Sequence, residues 1–139
     1  MITHSIDFRV YYEDTDAGGV VYHARYLAFA ERARTEAIRS QGMAPIELLN
    51  DHGLAFVVRQ ASMDFHVPAR LDDILTVRTH LAEQGGASCR LVQDIFRGET
   101  LCVHVDVRLA CIRVTDGRPA RFPPLWRALL DRLAVNRLS

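Results

Sequence analysis

The densest run of chemically capable residues lies near the start of the chain: Glu13, Asp14 and Asp16, then Gly18-Gly19, then Tyr22 and His23. Paired carboxylates ahead of glycines fit several chemistries. A calcium loop of the EF-hand kind needs a bidentate Glu at its twelfth position, and Arg25 stands there. A phosphotransferase aspartate needs a parallel α/β framework, which the strand pattern below does not offer. A dinucleotide loop needs Gly-x-Gly-x-x-Gly, which is absent. Acyl-group chemistry remains. A helix opening at Gly18-Gly19-Val20-Val21 has N–H donors without intrahelical partners and a partial positive charge. Glycines let a ligand approach that backbone, and such a turn stabilises a carbonyl oxygen that becomes an oxyanion. Asp16, ionised at neutral pH, is placed to attack the carbonyl or to activate a water. A thioester suits this arrangement because its thiolate leaves readily. The plainer alternative is that Asp16 only caps the helix and the glycines only turn the chain. Residue types alone leave both open.

Positioning these groups falls to an α+β arrangement. Ile6 to Tyr12 alternates, with Ile6, Phe8, Val10 and Tyr12 on one face, and predicts a first strand. Tyr22 to Gln41 is the clearest helix: Tyr22, Tyr26, Phe29, Ala30, Ala33 and Ala37 recur at helical spacing, and Gly42 ends it. Its many alanines suit a helix wrapped closely by a sheet. Pro45 to Asp51 adds a short helical piece. Four strands follow with hairpin-length connections: Leu54–Val67, Ile74–Glu83, Ser88–Phe96 and Thr100–Val114. The apolar phase of the last blurs after Ala110, which predicts a bulge or twist there. Pro123 to Arg137 reads as a final helix striped by Leu125, Leu129, Leu130 and Leu133, packed on its own sheet or a neighbour. The order β-α-β-β-β-β-α implies an antiparallel sheet on one helix, with an exposed face or edge that favours a homo-oligomer.

Composition narrows the partners. The 139 residues predict one domain, 1–139, and are enough for one core. The 17 basic residues balance the 17 acidic ones, which argues against nucleic acid held by bulk charge. All the basic residues are Arg, so Schiff-base lysine chemistry and a P-loop lysine are excluded. Cys89, Cys102 and Cys111 have neither disulfide nor zinc spacing, and no His, Cys or carboxylate cluster has metal-ligand spacing. Met1 to Ile6 has no leader pattern and no apolar run reaches a membrane span, so a cytoplasmic location is expected. No Gly-x-Ser-x-Gly elbow points to a serine hydrolase. Among other polar groups, Glu31 is expected in an ion pair or hydrogen bond within the helix. His66, His80 and His104 are read as ordinary strand histidines.

The stretch from Tyr11 to Tyr26, YYEDTDAGGVVYHARY, closely resembles the signature of the 4-hydroxybenzoyl-CoA thioesterase-like branch of the hotdog superfamily. With Glu31-Arg32-Ala33-Arg34-Thr35-Glu36 and the later Asp64-Phe65-x-x-Pro68-Ala69-x-x-Asp72-Asp73, it is most similar to the Tol-Pal system-associated acyl-CoA thioesterases. The resemblance covers essentially the whole chain. It implies a long helix wrapped by a curved antiparallel sheet of about five strands. It implies hydrolysis of acyl-CoA, with Asp16 as the catalytic carboxylate and the backbone N–H of His23 polarising the carbonyl. Gly18, Gly19 and Tyr22 would then line the substrate. It also implies homodimers, pairing further into tetramers, with the site at the subunit interface. Coenzyme A is part of the substrate, so no cofactor is expected, and acyl carrier protein is a candidate partner. Arg59, Arg70 and Arg90 are candidates for the coenzyme A phosphates by position only. Two other functions compete: a non-catalytic acyl-CoA or acyl-carrier-protein binding module, and a hotdog dehydratase, whose usual His-first pattern is missing.

Overall fold

The computed structural model describes residues 4–134. One antiparallel sheet holds β1 (His4–Arg9), β2 (Leu54–Phe65), β3 (Ile74–Gln84), β4 (Ser88–Arg97) and β5 (Thr100–Arg113), in the order β1-β3-β4-β5-β2. Helices α1 (Arg25–Arg39), α2 (Pro45–His52) and α3 (Pro124–Asp131) accompany it. The α+β expectation is met. Helix α1 touches β1, β3 and β5, so the sheet curves around it. Phe29, Ala30, Ala33 and Ala37 of α1 are buried against the inward residues Leu75, Val77, Ile95, Val103, Val105 and Val107. The alanines let the backbones approach. Each branched side chain in this core contributes roughly 1.5–3 kcal/mol by leaving water. The three cysteines are free and buried, and burial pushes the Cys89 thiol up to about 12.

Several boundaries differ from expectation for tertiary reasons. Strand β1 ends at Arg9, and Tyr12 opens a single 3-10 turn, Tyr12–Asp14, with its side chain 81% exposed. The turn forms because the Asp14 carboxylate accepts the Tyr11 N–H. Helix α1 starts at Arg25 rather than Tyr22. Val20 and Val21 are instead drawn into bridges with Arg70 and Thr15, and the Tyr22 N–H donates to the Asp14 carbonyl. Tyr22 is therefore half-exposed rather than core.

The blurred phase after Ala110 is no bulge: β5 and β2 stay in register from Val57↔Ala110 to Leu54↔Arg113. Successive residues are buried there because the returning chain covers that end, with the Ala120 N–H donating to the Cys111 carbonyl. Bulges fall instead at Val58/Gln60, Leu81/Glu83 and Ile95/Phe96. The buried stripe of α3 is Trp126, Leu129 and Leu130, with Leu133 buried in the turn that follows the helix, and Leu125 is exposed. Helix α3 packs on β3, where the Leu81 N–H donates to the Leu133 carbonyl. Residues 135–137 of the expected final helix lie outside the described residues. Among the described residues, no helix is long and apolar enough to cross a membrane.

Candidate active site

The loop between β1 and α1 is folded back on itself. The Asp16 N–H donates to the Val20 carbonyl at 2.9 Å, and the Gly19 N–H returns to the Asp16 carbonyl at 3.0 Å. At the tip, Asp16 Oδ1 accepts the Gly18 N–H at 2.8 Å. Both glycines have a reason to be there. Gly19 has φ +80°, which a side chain resists. A Cβ on Gly18 would stand 3.2 Å from Asp16 Oδ1. The exposed Asp16 is thus held by one oxygen, and the other has no protein partner among the described residues.

Asp14 has a different task. It is 3% exposed and accepts Arg25 Nη2 at 2.6 Å and Nε at 2.9 Å on one oxygen. Its other oxygen takes the Tyr11 N–H at 2.8 Å. A cation on the first residue of a helix opposes the helix dipole, and Asp14 offsets it. Asp14 shapes the loop.

His23 lies in the turn just before α1, with its exposed ring against that of Tyr22 at 4.5 Å. No side chain caps α1, whose N-cap is Ala24. The N–H groups of His23 and Ala24 donate to nothing among the described residues. Beside them opens a cleft of about 160 Å³, with Val21, His23 and Tyr26 on one side and Phe65, His66 and Pro68 on the other. The segment carrying that second wall is stitched to the helix. The Val21 N–H donates to the Ala69 carbonyl at 2.8 Å, and the Ala69 N–H donates to the Tyr26 hydroxyl at 3.1 Å. Burial pushes the Tyr26 phenol up in pKa.

The five expected site residues are therefore only partly gathered. Asp16, Gly18 and Gly19 share the loop tip, while Tyr22 and His23 share its base. His23 lines the cleft; Asp16, Gly18, Gly19 and Tyr22 do not. His66, read from sequence as an ordinary strand histidine, sits one residue past β2 and lines the same cleft as His23. Nothing local in the sequence signals this, because the wall is set by a distant bond from the His66 N–H to the Cys102 carbonyl.

His80 and His104 lie half-buried on the outer sheet face, His104 Nδ1 at 2.5 Å from Asp94 Oδ1. Glu31 is exposed and makes no ion pair or hydrogen bond among the described residues, contrary to expectation. Arg90 is committed to Asp106 at 2.7 Å and Glu83 at 3.3 Å on the outer face, which removes it from the phosphate candidates. Arg59 is exposed at the β2 bulge. Arg70 is exposed and bridges Val20 beside the loop. Among the described residues, no group of three or more His, Cys, Asp or Glu is arranged to hold a metal.

Comparison with known proteins gives concordant results. A family model described as "Thioesterase superfamily" matches residues 18–104. The acyl-CoA thioesterase YbgC of Haemophilus influenzae is 44% identical, over 93% of this chain and 95% of that protein. The protein of the same name from Helicobacter pylori is 46% identical, over 90% of this chain and 98% of that one. A crystal structure of a probable thioesterase from Bartonella henselae superposes with a TM-score of 0.82 at 40% identity, covering 88% of this chain and all of the other.

Proposed function

Because the chain belongs to the thioesterase superfamily and has the hotdog fold, we infer that it is an acyl-CoA thioesterase in which Asp16 is the catalytic carboxylate and the His23 N–H the oxyanion donor. The observation that carries this reading is the β1–α1 loop. It presents one free carboxylate oxygen at its tip and unpartnered backbone donors at its base, beside an apolar cleft. The thioester carbonyl oxygen accepts the His23 N–H, and the carbonyl carbon becomes more electrophilic. In one version Asp16 takes a proton from water as its oxygen bonds to the carbonyl carbon. The tetrahedral adduct then collapses, the C–S bond breaks, and the departing sulfur recovers the proton. In the other version Asp16 itself bonds to the carbonyl carbon, expels the thiolate, and water cleaves the resulting anhydride. Both give the free acid and coenzyme A. Neither needs a redox cofactor.

The split between loop and cleft supports a site completed by a second copy. Strand β2 is an edge strand, and exposed Val57, Val58 and Phe65 lie along it. An uncovered apolar edge of this length is a pairing surface. A homodimer through β2 covers it and brings a second chain against the cleft; further pairing into a tetramer leaves that argument unchanged. Arg70 is the remaining candidate near the loop for the coenzyme A phosphates. Free thiols and a coenzyme A substrate favour the cytoplasm.

The decisive measurement is thiol release from acetyl-, butyryl-, hexanoyl-, palmitoyl- and 4-hydroxybenzoyl-CoA, with wild type and Asp16→Ala side by side. Wild-type turnover should fall by roughly 10²–10⁴-fold in the variant, the range for losing a general base. Equal rates would remove Asp16 from the mechanism. Tight acyl-CoA binding with no turnover by wild type would identify a binding module instead. Turnover confined to acyl-carrier-protein thioesters would move the substrate to that carrier. Single-turnover hydrolysis in ¹⁸O-water that labels Asp16 identifies it as the nucleophile, water having opened the anhydride at the aspartyl carbonyl; label in the product acid alone is given by the general-base route and equally by water attacking the acyl carbonyl.

A further inference from the structure

The open donors at the base of the β1–α1 loop are framed on both sides. The Tyr22 carbonyl accepts the Arg25 N–H at 2.8 Å, which closes a four-residue turn. Its central residues are His23 and Ala24, whose N–H groups are the free ones. Ala24, at φ −71° and ψ −20°, continues directly into α1. A peptide bond is planar and trans, so its C=O and N–H point opposite ways. The Tyr22 carbonyl is turned towards the Arg25 N–H. The His23 N–H, on the same peptide, is therefore aimed away from α1. Where Arg25 sits decides where that N–H points.

Arg25 is in turn tied down by its side chain. Nη2 and Nε donate to one Asp14 oxygen at 2.6 and 2.9 Å. Asp14 is buried and holds the other parts of the loop as well. Its carbonyl accepts the Tyr22 N–H at 2.9 Å, and its second carboxylate oxygen accepts the Tyr11 N–H at 2.8 Å. Tyr22 and Arg25, on either side of the free donors, are thus anchored to one residue. A cation at the first position of α1 works against the helix dipole. Helix stability alone therefore does not account for an arginine there. What the Asp14–Arg25 pair does is fix a direction.

We propose that Arg25 is a positioning residue for the thioester reaction: clamped on Asp14, it aims the His23 N–H at the carbonyl oxygen. It touches no reacting atom itself. The proposal rests on the reading of His23 as the oxyanion donor and assigns what aims that donor. Misaiming costs rate, because a donor stabilises the oxyanion only at hydrogen-bond distance from where the charge develops.

The test separates aim from stability. In Arg25→Ala, water can take the guanidinium's place on Asp14, because the arginine side chain is 31% exposed. The kcat, measured well below the melting temperature, should fall roughly 10–100-fold with KM little changed, less than the 10²–10³-fold of losing a donor outright. Arg25→Lys should recover part of the rate, since it restores the charge but not the two-nitrogen contact. The direct readout is a ketone analogue of the acyl-CoA, with CH2 in place of the thioester sulfur and ¹³C at the carbonyl. Its infrared carbonyl stretch should drop on binding to wild type and drop less on binding to Arg25→Ala. If Arg25→Ala does not fold, Arg25→Gln carries the same two readouts. A variant that melts lower but keeps the wild-type kcat and the full infrared shift overturns the proposal and leaves the pair purely structural. A lower kcat with the full shift overturns it too, by placing the effect of Arg25 elsewhere. No shift in wild type would remove the His23 donor, and this proposal with it; a shift that persists in the variant removes the proposal alone.

Discussion

Two aspartates two residues apart divide the work of the loop, and their surroundings separate them. Asp14 is buried, with three donors on its carboxylate; Asp16 is exposed, with one. Asp14→Ala leaves Arg25 and the Tyr11 N–H without their acceptor, and Arg25 is partly solvated. The expected loss of stability is about 2 kcal/mol, the scale of hydrogen bonds to a charged group. Asp16→Ala should cost less than about 1 kcal/mol, one exposed hydrogen bond, while removing most turnover. Urea denaturation beside thiol release measures both. Equal stability losses would mean that the two carboxylates are not divided as described. The sequence shows that carboxylates cluster here, and its family likeness implies that Asp16 is the one to test. It does not show that Asp14 reaches Arg25, because that bond depends on how the loop doubles back.

At the scale of elements, the strands and the C-terminal end of α1 were legible to within a few residues, because alternation and helical spacing follow directly from which face is buried. The start of α1 was not. Val20, Val21 and Tyr22 carry a helical apolar pattern, but Val21 finds a better partner in the Ala69 carbonyl. Tertiary bonding outweighs local propensity there. Consequently the open donors lie at His23 and Ala24, after the hairpin, rather than at the glycines. The glycines serve the carboxylate. Gly18→Ala puts a methyl 3.2 Å from Asp16 Oδ1, inside the usual contact distance. The expected result is a several-fold fall in kcat with little change in melting temperature. An unchanged kcat would mean that the Asp16 orientation does not matter to the chemistry.

For the whole molecule, two strand histidines, His80 on the outer face of the sheet and His4 on the side of α1, set a pH dependence. Burial pulls His80 below the ordinary 6.5, opposed by Asp94 and aided by Arg90 and His104; burial likewise pulls down His4, opposed by Glu36. The folded protein therefore binds these protons less readily than the unfolded chain does. Their contribution is fully present above about 6.5 and is lost as pH falls through that value towards the folded pKa. Both groups are partly solvated, so the effect is modest. Melting temperature should decline as the pH goes from 8 to 5, and His80→Gln should flatten the decline. An identical slope in the variant would assign it elsewhere. Which histidines face outward follows from β3–β4–β5 alternation and was legible. That His66 lines a cleft with His23 was not, since it depends on β2 lying beside β5 rather than beside its neighbour in sequence.

That strand order also bears on the sequence of events in folding. Strands β3, β4 and β5 are joined by short turns and pair with their immediate neighbours, so they can assemble as a local meander. Strand β2 must wait for β5, its partner from Leu54↔Arg113 to Phe65↔Val103. Strand β1 must wait for β3. Closing such loops costs entropy before any contact repays it, and distant pairings form late. During synthesis the β1–α1 loop, α1 and β2 precede their partners: α1 gains most of its sheet only when β3 emerges, and β2 has no partner strand until β5 does. The nascent chain thus carries the proposed catalytic loop before its surroundings exist, and the later half of the sequence decides when the earlier half is held in place.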